Sequence, residues 1–223
     1  MESLEYILFI CIAVPLLMMI PLLKGRSRQL LGFTLIGILI CLFTSELNSL
    51  LLPLFDNDIV YMTTVVTPVI EELSKMIPIL LFALLFDNKL DTLFVLGLAL
   101  GIGFGFFENT LVLVQNISNV SITWALIRGF ATALMHGICT LSVGLGISFV
   151  RKKRKLFYPG LFALLTYTSV YHGIFNMLQV RYQYVGLILP IITYIPLVIL
   201  QVVIAKKAKN NEPDNTPEPP IFE

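Results

Sequence analysis

Seven side chains able to move protons or donate hydrogen bonds stand inside apolar stretches of this chain: Glu71, Glu72, Lys75, Glu108, His136, His172 and Asn176. A carboxylate near the bilayer midplane costs from ~2.5 kcal/mol upward, so such residues face protein or water and mark candidate sites of function. Glu71 and Glu72 adjoin in Pro68-Val69-Ile70-Glu71-Glu72-Leu73-Ser74-Lys75. Glu71 and Lys75 are four apart, on one helical face, and could form a packing ion pair. One lysine neutralises only one glutamate; the other must stay protonated, take another partner or do chemistry. His172 and Asn176 are also four apart on one face, and the chain's two histidines both lie in apolar runs. Peptide hydrolysis needs a base for water, a donor for the oxyanion and an acid for the leaving amine. Carboxylate, imidazole and amide cover all three. No convincing serine or cysteine nucleophile stands beside these histidines, which makes attack by activated water the more economical mechanism.

The elements that must position this set are membrane helices. The 223 residues are 57% hydrophobic and 13% charged, with mean hydropathy +0.89, a composition of polytopic membrane proteins. Apolar runs of spanning length predict an all-α transmembrane bundle of about seven spans: 4–23, 30–54, 59–86, 92–115, 122–150, 157–178 and 185–205. Loops on one side carry Lys24, Arg26 and Arg28, then Lys89, then the unbroken run from Arg151 to Lys155, then Lys206, Lys207 and Lys209; the other side holds only Arg181. That asymmetry puts the N-terminus outside and the C-terminus in the cytoplasm. It also explains the basic loops without a nucleic-acid partner. Residues 1–209 form a single transmembrane domain with its motif core at 59–178, and the Pro- and acid-rich stretch 210–223 is a disordered cytoplasmic tail. The first span has Glu2 and Glu5 in place of a basic leader and reads as retained, not as a cleaved signal. Cys11, Cys41 and Cys139, in three different spans, read as packing residues.

Local features add finer expectations. Pro78 cannot donate to the Ser74 carbonyl and predicts a bend just past the glutamate pair. Gly97, Gly101 and Gly105 recur every four residues, a smooth strip that with Glu108 predicts close approach to the third span. Arg128 lies near a helix end, where a long basic side chain snorkels to the interface, and Glu46 falls where a carboxylate is solvated.

Four motifs together resemble a known family. Glu71-Glu72-x-x-Lys75, Phe104-x-x-x-Glu108, His136 followed by Thr140 and Gly144-Leu-Gly146, and His172-x-x-x-Asn176 are similar, in order and spacing, to the signatures of PrsW-type intramembrane proteases. These belong to the wider superfamily of CAAX prenyl proteases and bacteriocin-processing relatives. The resemblance implies a multi-pass protein of the cell membrane that makes the first cut in a single-pass membrane protein, such as an anti-sigma factor, and so turns on a stress response. Two mechanisms are open. Without metal, as in the CAAX-protease relatives, Glu71 or Glu72 activates water while histidine and Asn176 stabilise the oxyanion. With metal, Glu108, His136 and His172 ligate Zn²⁺, leaving a fourth position open. The alternative function is an ion- or proton-coupled transporter, for which midplane Glu, Lys and His are equally suited; a non-catalytic scaffold using the same residues as helix glue is the third. The depths of Glu108, His172 and Asn176 along their helices place water entry, and the cut, on the outer side.

Overall fold

A computed structural model describes residues 2–182, 188–196, 199 and 203, and every element assigned among them is helical. Six long helices follow one another, joined by short turns except at 52–66: α1 (Glu2–Met19), α2 (Gly25–Leu51), α3 (Thr67–Leu85), α4 (Leu90–Gln115), α5 (Ile122–Val150) and α6 (Phe157–Arg181). Residues 188–196, 199 and 203 are helical as well and lie within the seventh predicted span; the other residues of that span and the predicted tail at 210–223 fall outside the described residues. Among the described residues four segments are long and apolar enough to cross a membrane: Leu4–Leu22, Gly25–Phe55, Leu90–Gln115 and Ile122–Val150. α3 falls outside that set, with Glu71, Glu72 and Lys75 inside its 19 residues.

Small residues set the packing. On α4 the glycine strip lies against α5 rather than against α3: a Cβ on Gly97 would strike the Thr140 carbonyl, one on Gly101 the His136 carbonyl, and one on Gly105 the Ala133 backbone. Gly144 returns the fit by facing the Leu93 carbonyl. The correction has a simple cause. α5 presents its own small face here, and the Thr140 hydroxyl folds back onto the His136 carbonyl (2.5 Å), so nothing bulky separates the two backbones. Gly37 of α2 and Gly103 of α4 do the same on the opposite side of α4, which becomes the central helix. α1 covers α2 and α4, Ala13 joining the Leu35, Ile38 and Phe107 cluster, while much of its apolar surface faces outward.

The irregularity near the glutamates comes before them. Pro68, not Pro78, is its origin: the chain runs helically through Pro78 to Leu85, but the turn Met62–Val66 ahead of α3 is π-helical. Pro68 has no N–H, so it cannot satisfy the carbonyls of Thr63 or Thr64 behind it. The Asn176 side chain of α6 does so for Thr63, donating from Nδ2 at 3.0 Å. Thr64 turns its carbonyl to Gly173, where any Cβ would collide. At the far end of α3 the Asp87 carboxylate accepts the Lys89 N–H (3.0 Å) and the Thr92 hydroxyl (3.1 Å), closing the turn into α4. The Lys89 bond, aided by Thr92, holds the Asp87 carboxyl below its ordinary range.

Candidate active site

Four helices deliver the predicted residues to one place. Their positions are staggered so that α2, α4 and α6 finish, and α3 and α5 begin, at the same end of the bundle. Two of the cavities that open at that end, of about 270 and 410 Å³, share Thr63, Thr67, Glu71 and Glu108 in their walls.

Lys75 organises the interior. Its ammonium donates to Glu72 Oε1 (2.6 Å), three residues back on its own helix, and to His136 Nδ1 (2.7 Å), with the Phe104 ring 4.4 Å from the charge. The buried ion pair therefore uses Glu72, where the four-residue spacing predicted Glu71. Glu72 wins because His172 Nδ1 donates to the same oxygen at 2.9 Å, giving that carboxylate two donors. An ammonium has no lone pair, so His136 Nδ1 must accept from it. His136 Nε2 then carries the ring proton and donates to Glu108 Oε2 at 2.5 Å. Glu108 Oε1 in turn accepts from Arg128 Nη2 (3.3 Å), and Arg128 Nη1 donates to Gln179 Oε1 (2.7 Å). One unbroken chain of hydrogen bonds thus runs Gln179, Arg128, Glu108, His136, Lys75, Glu72, His172. The two imidazoles meet edge to face with centroids 4.9 Å apart.

Glu71 stands at the end of this chain but not in it. Its Oε2 is buried without a hydrogen-bond partner, 3.9 Å from His172 Nε2. With Nδ1 giving its proton to Glu72, Nε2 of the neutral His172 ring holds a free lone pair. The adjacent glutamates are thereby divided: Glu72 is fully enclosed and orients two other groups, while Glu71 lines both cavities with an uncommitted oxygen. Asn176 lines the larger cavity, with its amide already spent in part on Thr63.

A model of the PrsW family of intramembrane metalloproteases matches residues 26–201, most of the chain. The chain belongs to the PrsW family. No curated protein and no solved structure matches it. As a PrsW-family protein it is a peptidase, a hydrolase built from several membrane-crossing helices.

The family's description implies a metal ion, and the donor set suits one. Glu71, His136 and His172 each offer one ligand atom within 4.8 Å of the others, the two-histidine, one-carboxylate composition of catalytic zinc. This set contains Glu71 where the sequence suggested Glu108, because Glu108 is drawn away by His136 and Arg128. The partnerless Glu71 oxygen and the open His172 nitrogen are ready donors; His136 would complete the set if its Nε2 proton passed to Glu108 and Lys75 gave a proton to Nδ1.

Arg128 and Gln179 escaped the sequence reading. Arg128 does not snorkel: its side chain is 13% exposed and takes part in the network. The signal was there, since Arg128, Thr132, His136 and Thr140 repeat every four residues on one face, and Gln179 follows His172 and Asn176 on theirs. Glu46 accepts a hydrogen bond from Tyr6 of α1 at 2.9 Å. Cys41 and Cys139 are buried free thiols and Cys11 is exposed on α1.

Proposed function

We propose that this PrsW-family protein is an endopeptidase of the cell membrane that cuts single-pass membrane proteins just outside the hydrocarbon, with Glu71 as the residue that activates water. The observation carrying the assignment is the pair of uncommitted atoms, Glu71 Oε2 and His172 Nε2, facing each other across 3.9 Å beside the cavities. A water held there loses a proton to Glu71 as its oxygen attacks the client's carbonyl carbon. Arg128, the one cationic side chain lining either cavity, meets the negative charge that develops on the carbonyl oxygen. Collapse breaks the C–N bond, and the proton held by Glu71 passes to the leaving amine. Were Zn²⁺ held by Glu71, His136 and His172, it would supply Lewis acidity and a more acidic water at the same place, with Glu71 serving as ligand in place of base. Glu72, Lys75, His136 and Glu108 hold these groups in orientation, and Asn176 pins α6 to the π-helical turn.

Topology supports the site of the cut. In the seven-span arrangement with the N-terminus outside, the basic loops are cytoplasmic and the cavity end faces outward. Unwinding a client backbone costs less there than in the hydrocarbon. A membrane-anchored regulator such as an anti-sigma factor fits this geometry, as does a place for the family among the CAAX prenyl and bacteriocin-processing proteases. Residues 1–209 act as one transmembrane domain in this reading. The test is reconstitution of the purified protein in liposomes with single-pass peptides of randomised outer juxtamembrane sequence, followed by mass-spectrometric mapping of new termini. Cuts in the outer segment are expected; cuts confined to the cytoplasmic side would overturn the outward-facing site.

A further inference from the structure

The two cavities are not equivalent, although they share the wall that carries Glu71 and Glu108. The larger, toward α5 and α6, has Arg128, Trp124 and Gln179. The smaller, between α2 and α4, adds no charged side chain beyond the shared glutamates; its polar groups are Ser45, Asn48, Ser49 and Gln115, all neutral. We propose that this α2–α4 lobe is a subsite for the unwound backbone of the client on one side of the cut bond, with Asn48 as its principal hydrogen-bonding residue.

Three observations converge on Asn48. Its Oδ1 is buried without a partner, a state that costs free energy until a donor arrives. It lines the lobe that begins at Glu71, so a strand passing the reactive carboxylate continues into its reach. Two flanking residues are braced from behind and hold the wall: Ser45 Oγ donates to Glu5 Oε2 (3.4 Å) and Gln115 Nε2 to Glu5 Oε1 (3.3 Å), both on α1. A peptide leaving its helix inside a membrane exposes N–H and C=O groups that water does not reach, and a side-chain amide, with donors and an acceptor together, is the natural partner for a peptide group. Two glutamates line the lobe with no cationic side chain beside them, which further disfavours acidic client residues.

The inference rests on the peptidase reading, and the experiment separates the two. The liposome library is digested by wild type, Asn48→Leu and Asn48→Gln, and residue preferences are scored separately on each side of the cut. Asn48→Leu is expected to lower kcat/KM about three- to tenfold, mostly through KM, as loss of one hydrogen bond does. It should also change preferences on one side only, with Asn48→Gln restoring both measures. A photo-crosslinking residue at position 48, in a Glu71→Gln background, should capture the library peptides on that same side, which covers the case in which Asn48→Leu does not fold. Unchanged KM and preferences, equal changes on both sides, or capture on the opposite side from the altered preferences overturn the subsite alone. A wild-type protein that cuts no library member overturns the subsite together with the peptidase reading.

Discussion

The seam between α4 and α5 and the seam between α3 and α6 are made by opposite means. In the first, Gly97, Gly101, Gly105 and Gly144 bring two backbones into contact over several turns. In the second, apart from one close approach of Gly173 to the Thr64 carbonyl, contact passes through side chains: Asn176 to the Thr63 carbonyl, His172 to Glu72, and His172 standing off from Glu71 by 3.9 Å. Close packing tolerates no inserted atom, whereas a seam of polar side chains leaves donor and acceptor atoms within reach of a cavity. The molecule thus builds its frame from the glycine seam and its chemistry on the polar one, where the π-helical turn before Pro68 already departs from regular pairing.

The largest effect on stability should come from the group bridging the seams. Lys75→Met leaves Glu72 buried without its cation and should destabilise by roughly 3–5 kcal/mol, seen as loss of membrane accumulation. Lys75→Met with Glu72→Leu should recover part of it. Normal accumulation of the single variant would show that the pair bears no structural weight. Next comes the frame: Gly101→Ala drives a methyl into the His136 carbonyl and should cost about 1–3 kcal/mol in detergent unfolding assays. Were Gly101→Ala neutral, the contrast between the seams would fail. Asn176→Ala should be milder, about 0.5–1.5 kcal/mol for the lost Thr63 bond, with kcat lowered more than KM because α6 loses its register. A rise in KM with kcat unchanged would instead mean that Asn176 binds client. Smallest of all is Gly129→Ala on α5, whose carbonyl accepts from Asn109 of α4 but whose added carbon would meet nothing within 4 Å. It should stabilise by at most about 1 kcal/mol through helix propensity.

The membrane character and the gathering of Glu71, Glu72, Glu108, His136 and His172 were legible because ionisable residues in apolar runs are rare and their helical spacings survive folding. Choices between equivalent neighbours were not legible. Glu71 and Glu72 both lie within Lys75's reach along the helix, and only His172, a hundred residues away, selects Glu72. The glycine strip announces close packing without naming its partner, which depends on the small face of α5. Pro78 and Pro68 look alike in sequence; what distinguishes Pro68 is that Asn176 and Gly173 wait to receive the carbonyls it frees. Distance from the helix end places Arg128 at the interface, a rule for isolated helices that its bonds to Glu108 and Gln179 override.

The central claim is the division of labour between the adjacent glutamates, and it is tested by single-turnover cleavage of one defined peptide from the library by Glu71→Gln and Glu72→Gln variants that accumulate normally. Glu71→Gln should slow the chemical step by roughly 10² to 10⁴-fold without loss of stability, since Glu71 contributes reactivity and not packing. Glu72→Gln should lower thermal stability first, in keeping with its two donors. Wild-type cleavage by Glu71→Gln, with the chemical step lost only in a stable Glu72→Gln protein, would contradict the account.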